Sequence, residues 1–340
     1  MKQKNLFVLA AMFLAVMFFA TGPVMARPIE LSLGLITPPT HLRNINVIKP
    51  WMKMIEEKTQ GKVKVTPYYA GALAPPPESF NSIVSGIADM GEGIAYATPG
   101  QFPLTEIVML PELGLKSGQA ASAALWHAFK KFPELAAEYA GVKVLWLHVN
   151  PPLRLITRNK PVRSLEDLKG MKIRVSGASS AKMGKALGFT PVSMGIGDLY
   201  LALEKGVLDG VIIGSDVLIS RRIAEVSKYV TDMDLGHDTF FVVINNDTWD
   251  RLPKDVQTVM DSLSGDWAVD FTAKAWDKFD VEAKEKAMAQ GIEFITLSPE
   301  EKARWKKLLS PIKATYAAEQ DQKGLPGTEI LNDLQGFQSK

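Results

Sequence analysis

The 340-residue chain contains no cysteine. Disulfides, thiolate nucleophiles, iron–sulfur clusters and cysteine-ligated zinc are excluded together, and so is the acylated cysteine of an exported lipoprotein. Histidine is scarce: His41, His127, His148 and His237 lie far apart and form no His-Glu-x-x-His pair, so neither a metal site nor a cofactor is expected. Charge of one sign is not in excess, with 39 Lys+Arg against 37 Asp+Glu, which argues against non-specific nucleic-acid binding. A Gly-x-Ser-x-Gly elbow is absent. Gly91-Glu92-Gly93 and Gly195-Ile196-Gly197 each lack the third glycine of a dinucleotide fingerprint, and Gly184-Lys185-Ala186 lacks the hydroxyl of a phosphate loop. With the carboxylates scattered over helix faces, an enzyme is the secondary expectation.

What is present is an ordinary globular composition, 46% apolar and 22% charged, at a length that suggests two domains. Lys2 and Lys4 precede an apolar run from Leu6 to Ala20, followed by Val24-Met25-Ala26. This is the pattern of a signal peptide, 1–26, cleaved after Ala26. The alternative is an uncleaved anchor, but the run falls short of the about 20 residues needed to span a bilayer. No later stretch reaches that length without charges, so the exported chain is expected to be soluble.

Strand and helix patterns alternate from Ile29 onward. Strands are expected at Ile29–Ile36, Val63–Tyr69, Ile87–Ile94 and Val142–Val149, with helices around Ile45–Ile55, Pro77–Gly86 and Ser117–Tyr139. Pro50 either kinks the first helix or opens a second. The pattern restarts at Leu153–Thr157 and continues through strands at Met171–Val175, Leu208–Ile213 and His237–Asn245. Such alternation predicts mostly parallel α/β sheets covered on both faces. Ser85-Gly86-Ile87-Ala88-Asp89-Met90 is echoed by Lys205-Gly206-Val207-Leu208-Asp209-Gly210, a faint internal repeat. The last hundred residues are helical, with Ser298-Pro299-Glu300-Glu301 supplying a capping box and a proline at the first helical position. Long helices there suggest a brace across two lobes.

One block is specific. Arg154 opens Arg-Leu-Ile-Thr; Ser164-Leu165-Glu166-Asp167-Leu168-Lys169-Gly170-Met171-Lys172-Ile173-Arg174-Val175 follows, then Leu199-Tyr200-Leu201-Ala202-Leu203-Glu204-Lys205-Gly206 and Asp209-Gly210. Together with Lys58-Thr59-Gln60-Gly61-Lys62 and Thr248-Trp249-Asp250-Arg251-Leu252-Pro253, it resembles the periplasmic substrate-binding proteins of tripartite ATP-independent (TRAP) transporters, the DctP-like family. The resemblance covers nearly the whole exported chain. It implies a bilobed α/β periplasmic-binding-protein fold with a ligand cleft and C-terminal helices bracing both lobes. The expected lobes are 27–151 with about 240–279, and 152–239 with about 280–340. It also implies a periplasmic location, TRAP membrane permease subunits as partners, and a monomer or a homodimer through the stretch 303–318.

The resemblance places the carboxylate-binding arginine at Arg174, and the physics agrees. Arg174 sits at the carboxyl end of a short strand, where open α/β sheets bind ligands, and a guanidinium holds a carboxylate by two parallel hydrogen bonds. Arg154 matches a second arginine of part of the family; a hinge salt bridge is the competing reading. Where sialic-acid binders of the family carry polar or bulky groups, this chain has Gly177, Ile196 and Ile213. An apolar wall disfavours unpaired hydroxyls, so the expected ligand is a carboxylate with an apolar body, aromatic first, and branched aliphatic 2-oxo or 2-hydroxy acid or dicarboxylate second. From the first lobe, His41, Glu92, Tyr96 and Phe102 are candidates to face the ligand, with one of Phe240 and Phe241. The competing functions are an exported enzyme using Glu92 or His41 as a base, and a sensory binding module.

Overall fold

The structure, a computed structural model, describes residues 27–337; the expected signal segment lies outside them. In chain order the strands are β1 (Ile29–Gly34), β2 (Val63–Tyr68), β3 (Met90–Ile94), β4 (Val142–Val149), β5 (Arg154–Thr157), β6 (Lys172–Val175), β7 (Thr190–Ser193), β8 (Gly210–Ile213), β9 (Tyr229–Asp232), β10 (Thr239–Asn245) and β11 (Glu293–Thr296). They form two sheets, ordered β2-β1-β3-β10-β4 and β11-β9-β5-β8-β6-β7, one at the centre of each lobe.

Both sheets are more mixed than the alternation predicts. β10 runs antiparallel to β3 and β4, and β5 runs antiparallel to β8 and β9. The route of the chain is the reason. It leaves the first lobe after β4, enters the second at β5, leaves it after β9 and returns at β10. The two crossings run side by side: the Leu153 amide donates to the Gly236 carbonyl at 2.8 Å, and the Leu235 amide to the Leu153 carbonyl at 3.2 Å. Gly236 has φ +98°, and a Cβ there would come within 2.2 Å of the Met109 carbonyl oxygen, so this crossing admits no side chain.

Strand alternation builds the cores. On β10, Phe241 and Val243 join Phe80, Phe102 and Leu125 on one face of the first sheet, while Val242 and Ile244 join Trp51, Ile55 and Trp146 on the other. On β8 and its neighbours, Ile173 and Ile212 face one core of the second lobe, and Ile156, Val211 and Ile213 the other.

The sequence echo is a structural repeat. In both copies a glycine with positive φ, +75° at Gly86 and +71° at Gly206, ends a helix. The aspartate three residues on then reaches the adjoining parallel strand. Asp89 Oδ2 accepts from the Ser32 amide at 2.8 Å, and Asp209 Oδ2 from the Lys172 amide at 2.8 Å. Pro50 sits at the start of the helix Lys49–Lys58, behind a π-helical turn at Asn44–Ile48, where its missing N–H leaves the tighter ladder incomplete.

Two long helices link the lobes. Helix Gly265–Ala289 packs Ala268 and Val269 into the first lobe and Ala287 into the second. Helix Pro299–Asp321, capped by Ser298 accepting from the Glu301 amide, packs Trp305 and Leu309 into the second lobe and Ala317 into the first. The stretch 280–340 is expected to supply part of the second lobe and the C-terminal helices. Ile330, Leu331 and Leu334 of helix Gly327–Gly336 pack in the first lobe's core, because the chain crosses back along Pro299–Asp321. No helix among the described residues is long and apolar enough to cross a membrane.

Candidate functional site

A cavity of about 400 Å³ opens between the lobes, beside the hinge. Apolar side chains supply most of its wall. Ile36, Ile94, Tyr96, Phe240 and Trp276 come from the first lobe and its bracing helix; Met194, Ile196, Ile213 and Val217 come from the second.

Arg174 lies in this wall at the end of β6, 3% exposed. Its Nη1 donates to Ser176 Oγ at 2.6 Å and its Nε to the Met194 carbonyl at 3.3 Å. The Tyr96 hydroxyl sits beside both Arg174 and Ser176, and burial, with Asp238 nearby, pushes the Tyr96 phenol up from its ordinary value. Among the described residues no carboxylate is ion-paired to Arg174, whereas Arg43 and Arg154 both have acidic partners. Two of its donor groups hold the guanidinium in place without neutralising it, leaving its charge for an anion in the cavity.

Arg43 was not singled out by sequence reading. It is 1% exposed, pairs with Glu92 through both Nε and Nη2, and stacks with its guanidinium carbon 4.4 Å from the centre of the Phe240 ring and 5.5 Å from that of Trp276. Glu92 is therefore not a cavity residue. It is fully buried behind the wall, and its charge is spent on Arg43. Burial raises the Glu92 pKa, but Arg43 and His148 more than offset this and hold it below the usual range. His148 Nδ1 accepts from the Trp276 indole N–H at 3.0 Å, which leaves Nε2 to carry the proton, 3.7 Å from Glu92. Burial lowers the His148 pKa to about 4, so the ring is neutral. The chain Trp276–His148–Glu92–Arg43 thus fixes the aromatic floor of the cleft with no net charge left over.

His41 does line the cavity. Its Nδ1 accepts from the Arg43 amide at 3.2 Å, and its Nε2 faces Asp216 of the other lobe at 3.8 Å. Burial, then Arg43, lowers its pKa to about 3. Burial pushes Asp216 up to about 7, against the pull of Arg43 and with Asp280 and Asp238 adding to it. Asp238 is pushed up to about 6 by burial, against Arg174. Arg221 completes the polar part of the wall; burial lowers its pKa, and Asp216 opposes that.

The structure brings Arg174, His41, Tyr96, Ile196, Ile213 and Phe240 together on one cavity. Four expected residues lie elsewhere. Arg154 is held by Asp232 at 2.9 Å, Asp280 at 2.7 Å and Ser215 at 2.8 Å, which is the hinge salt-bridge arrangement and leaves it outside the cavity wall. Gly177 borders Tyr96 rather than the cavity. Glu92 is spent on Arg43, and Phe102 is a core side chain, packed edge-on against Phe80 and tilted against Tyr139 and Phe241. The residues missed are Arg43, Asp216, Arg221, Asp238 and Trp276. No local motif marks them. Trp276 shares its helix face with Thr272, Ala273, Phe279 and Ala283, so its spacing is that of an ordinary core residue. Among the described residues no group of three or more His, Asp or Glu side chains is arranged to hold a metal ion.

Two α/β lobes on a paired hinge, with a cavity between them that a buried arginine lines, are the architecture of a bilobed solute-binding protein. Residues 33–320 match the family described as DctP, bacterial extracellular solute-binding protein, family 7, and the chain belongs to that family. Its members are solute-binding proteins of TRAP transporters for small organic acids, not enzymes. The chain is 26% identical over 295 residues to the C4-dicarboxylate-binding periplasmic protein DctP of Rhodobacter capsulatus, covering 85% of this chain and 87% of that one. It superposes on a TRAP periplasmic solute-binding protein from Bordetella bronchiseptica with bound (R)- and (S)-mandelate. The TM-score is 0.83 and the identity 29%, covering 91% of this chain and 98% of that one. A marine-metagenome TRAP solute-binding protein from an unidentified microbe, specific for aromatic acid ligands and bound to 3-hydroxybenzoate, gives a TM-score of 0.86 at 27% identity. The match covers 91% of this chain and 98% of that one.

Proposed function

We propose that this chain captures an aromatic monocarboxylate in the cleft, holds the carboxylate on Arg174, and delivers it in the periplasm to the membrane subunits of a TRAP-type transporter. The observation that carries the ligand class is the pairing of Arg174, a guanidinium with no ion-paired carboxylate among the described residues, with a wall of Ile36, Ile94, Phe240, Trp276, Ile196 and Ile213. A carboxylate takes a fork of two hydrogen bonds from an arginine, and a ring against such a wall gains about 25 cal/mol per Å² of apolar surface buried. A cavity of about 400 Å³ suits one ring and a short acidic arm. Mandelate and 3-hydroxybenzoate in the related structures support the same class.

A C4-dicarboxylate is the second reading, because Arg221 brings another guanidinium to the wall. Asp216 beside it works against a second carboxylate. A thermal-shift screen of benzoate, phenylacetate, mandelate, succinate and glucuronate, followed by titration calorimetry, tests the reading. Ligand at about 100 times its Kd adds about 2.7 kcal/mol of stability. The aromatic acids should give the largest shifts; a larger shift with succinate or glucuronate rejects the proposal.

A further inference from the structure

We propose that Asp238 accepts a hydrogen bond from a hydroxyl on the ligand carbon next to the carboxylate, which makes the preferred ligand an aromatic 2-hydroxy acid. This rests on the aromatic-monocarboxylate reading above. Asp238 lines the cavity and is 5% exposed. Its backbone is clamped by Asn150: the Asp238 amide donates to Asn150 Oδ1 at 2.8 Å, and the Asp238 carbonyl accepts from the Asn150 amide at 3.2 Å. Its carboxyl group, by contrast, accepts no hydrogen bond from any described residue, and Oδ1 is buried without a partner. A buried carboxyl with nothing donating to it is costly, and a binding site retains one where a ligand supplies the donor.

The position of that donor follows from the neighbours. Asp238 feels the charge of Arg174, and Tyr96, whose hydroxyl adjoins Arg174 and Ser176, feels the charge of Asp238. These groups form one corner of the cavity. A ligand carboxylate on Arg174 brings a second negative charge into that corner. An acid with no donor there leaves the buried Asp238 carboxyl unpartnered beside the incoming negative charge. A hydroxyl on the adjacent carbon stays in the corner and turns the repulsion into a charge-assisted hydrogen bond. An ammonium at the same carbon is the competing donor to Asp238, its charge opposed by the facing Arg174, and phenylalanine tests for it.

Titration calorimetry near neutral pH with mandelate, phenylacetate and phenylalanine tests this on the wild-type protein and on Asp238→Ala. Mandelate should bind about 10- to 100-fold tighter than phenylacetate, the range of a hydrogen bond to a charged group. In Asp238→Ala that ratio should fall to within about threefold, because acceptor and charge go together. Asp238→Asn, which keeps the shape and loses the charge, should give an intermediate ratio. Equal wild-type affinities, a ratio that Asp238→Ala leaves intact, or tighter binding of phenylalanine than of mandelate overturns the inference. If neither mandelate nor phenylacetate binds while succinate or glucuronate does, the aromatic reading itself fails and this inference with it. The wild-type ratio alone decides the matter if the alanine variant does not fold.

Discussion

Tyr96 of the first lobe lies directly against Gly177 of the second: a Cβ at position 177 would sit 3.2 Å from the Tyr96 Cβ. Gly177 also has φ +74°, a backbone conformation that side chains resist. The glycine that reads in sequence as a lost polar contact is therefore a point where the two lobes meet. Gly177→Ala should weaken acid binding by about 1–2 kcal/mol, through strain at the positive φ and a lobe contact held apart. Calorimetry checks the affinity, and solution scattering should show a larger radius of gyration for the liganded variant than for the liganded wild type. Unchanged affinity and an unchanged profile would mean that the contact plays no part in closure.

Asp216 carries a pH prediction. Its carboxyl titrates at about 7 in the fold, against 3.8 for an ordinary aspartate. The folded state therefore holds a proton that the unfolded chain releases, and stability attributable to this group falls as pH rises from about 4 to about 7, then levels off. Asp216→Asn removes the charge. Its stability relative to wild type should rise across that window by on the order of 2–4 kcal/mol. Urea unfolding of the ligand-free proteins at mildly acidic and mildly alkaline pH measures it. A difference that does not change with pH would show that Asp216 is not held neutral.

Arg154 separates a structural from a binding role. It joins β5 to Asp232 on β9 and to Asp280 on the long bracing helix. Arg154→Ala should lower unfolding free energy by about 1–3 kcal/mol, since the largely buried Asp280 and the exposed Asp232 lose their partner, and change ligand affinity less than about threefold. Loss of affinity with unchanged stability would place Arg154 on the ligand.

What was legible in the sequence follows the range of the interactions. Strands buried on both faces, such as Val142–Val149, announce themselves as mostly apolar runs, broken there only by Lys143 and His148, and Arg174 stands out by the contiguous block around it. β7, β9 and β11 carry no such signal. Each has four residues, and β7 carries Pro191. Such strands exist because a neighbour is there to pair with. The site shows the same division. Phe240 and Phe241 alternate on one strand, so one of them had to face the cleft. Arg43 and Glu92 meet across 49 residues, and Trp276 reaches His148 across 128, so no local pattern could reveal that Glu92 was already taken. The antiparallel placement of β5 and β10 is set by the double crossing at the hinge, a property of the chain's route rather than of either strand.

The central claim is that the ligand's carboxylate is held by Arg174. Titration calorimetry of wild type, Arg174→Lys and Arg174→Ala with one aromatic acid tests it most directly. Among the described residues Arg174 has no ion-pair partner, so both variants should stay folded without ligand, with a melting temperature lowered only by the loss of its bonds to Ser176 and the Met194 carbonyl. Arg174→Ala should lose about 2–5 kcal/mol of binding, and Arg174→Lys should recover only part of it, because an ammonium cannot make the two-pronged contact. Wild-type affinity in a folded Arg174→Ala variant would contradict the account.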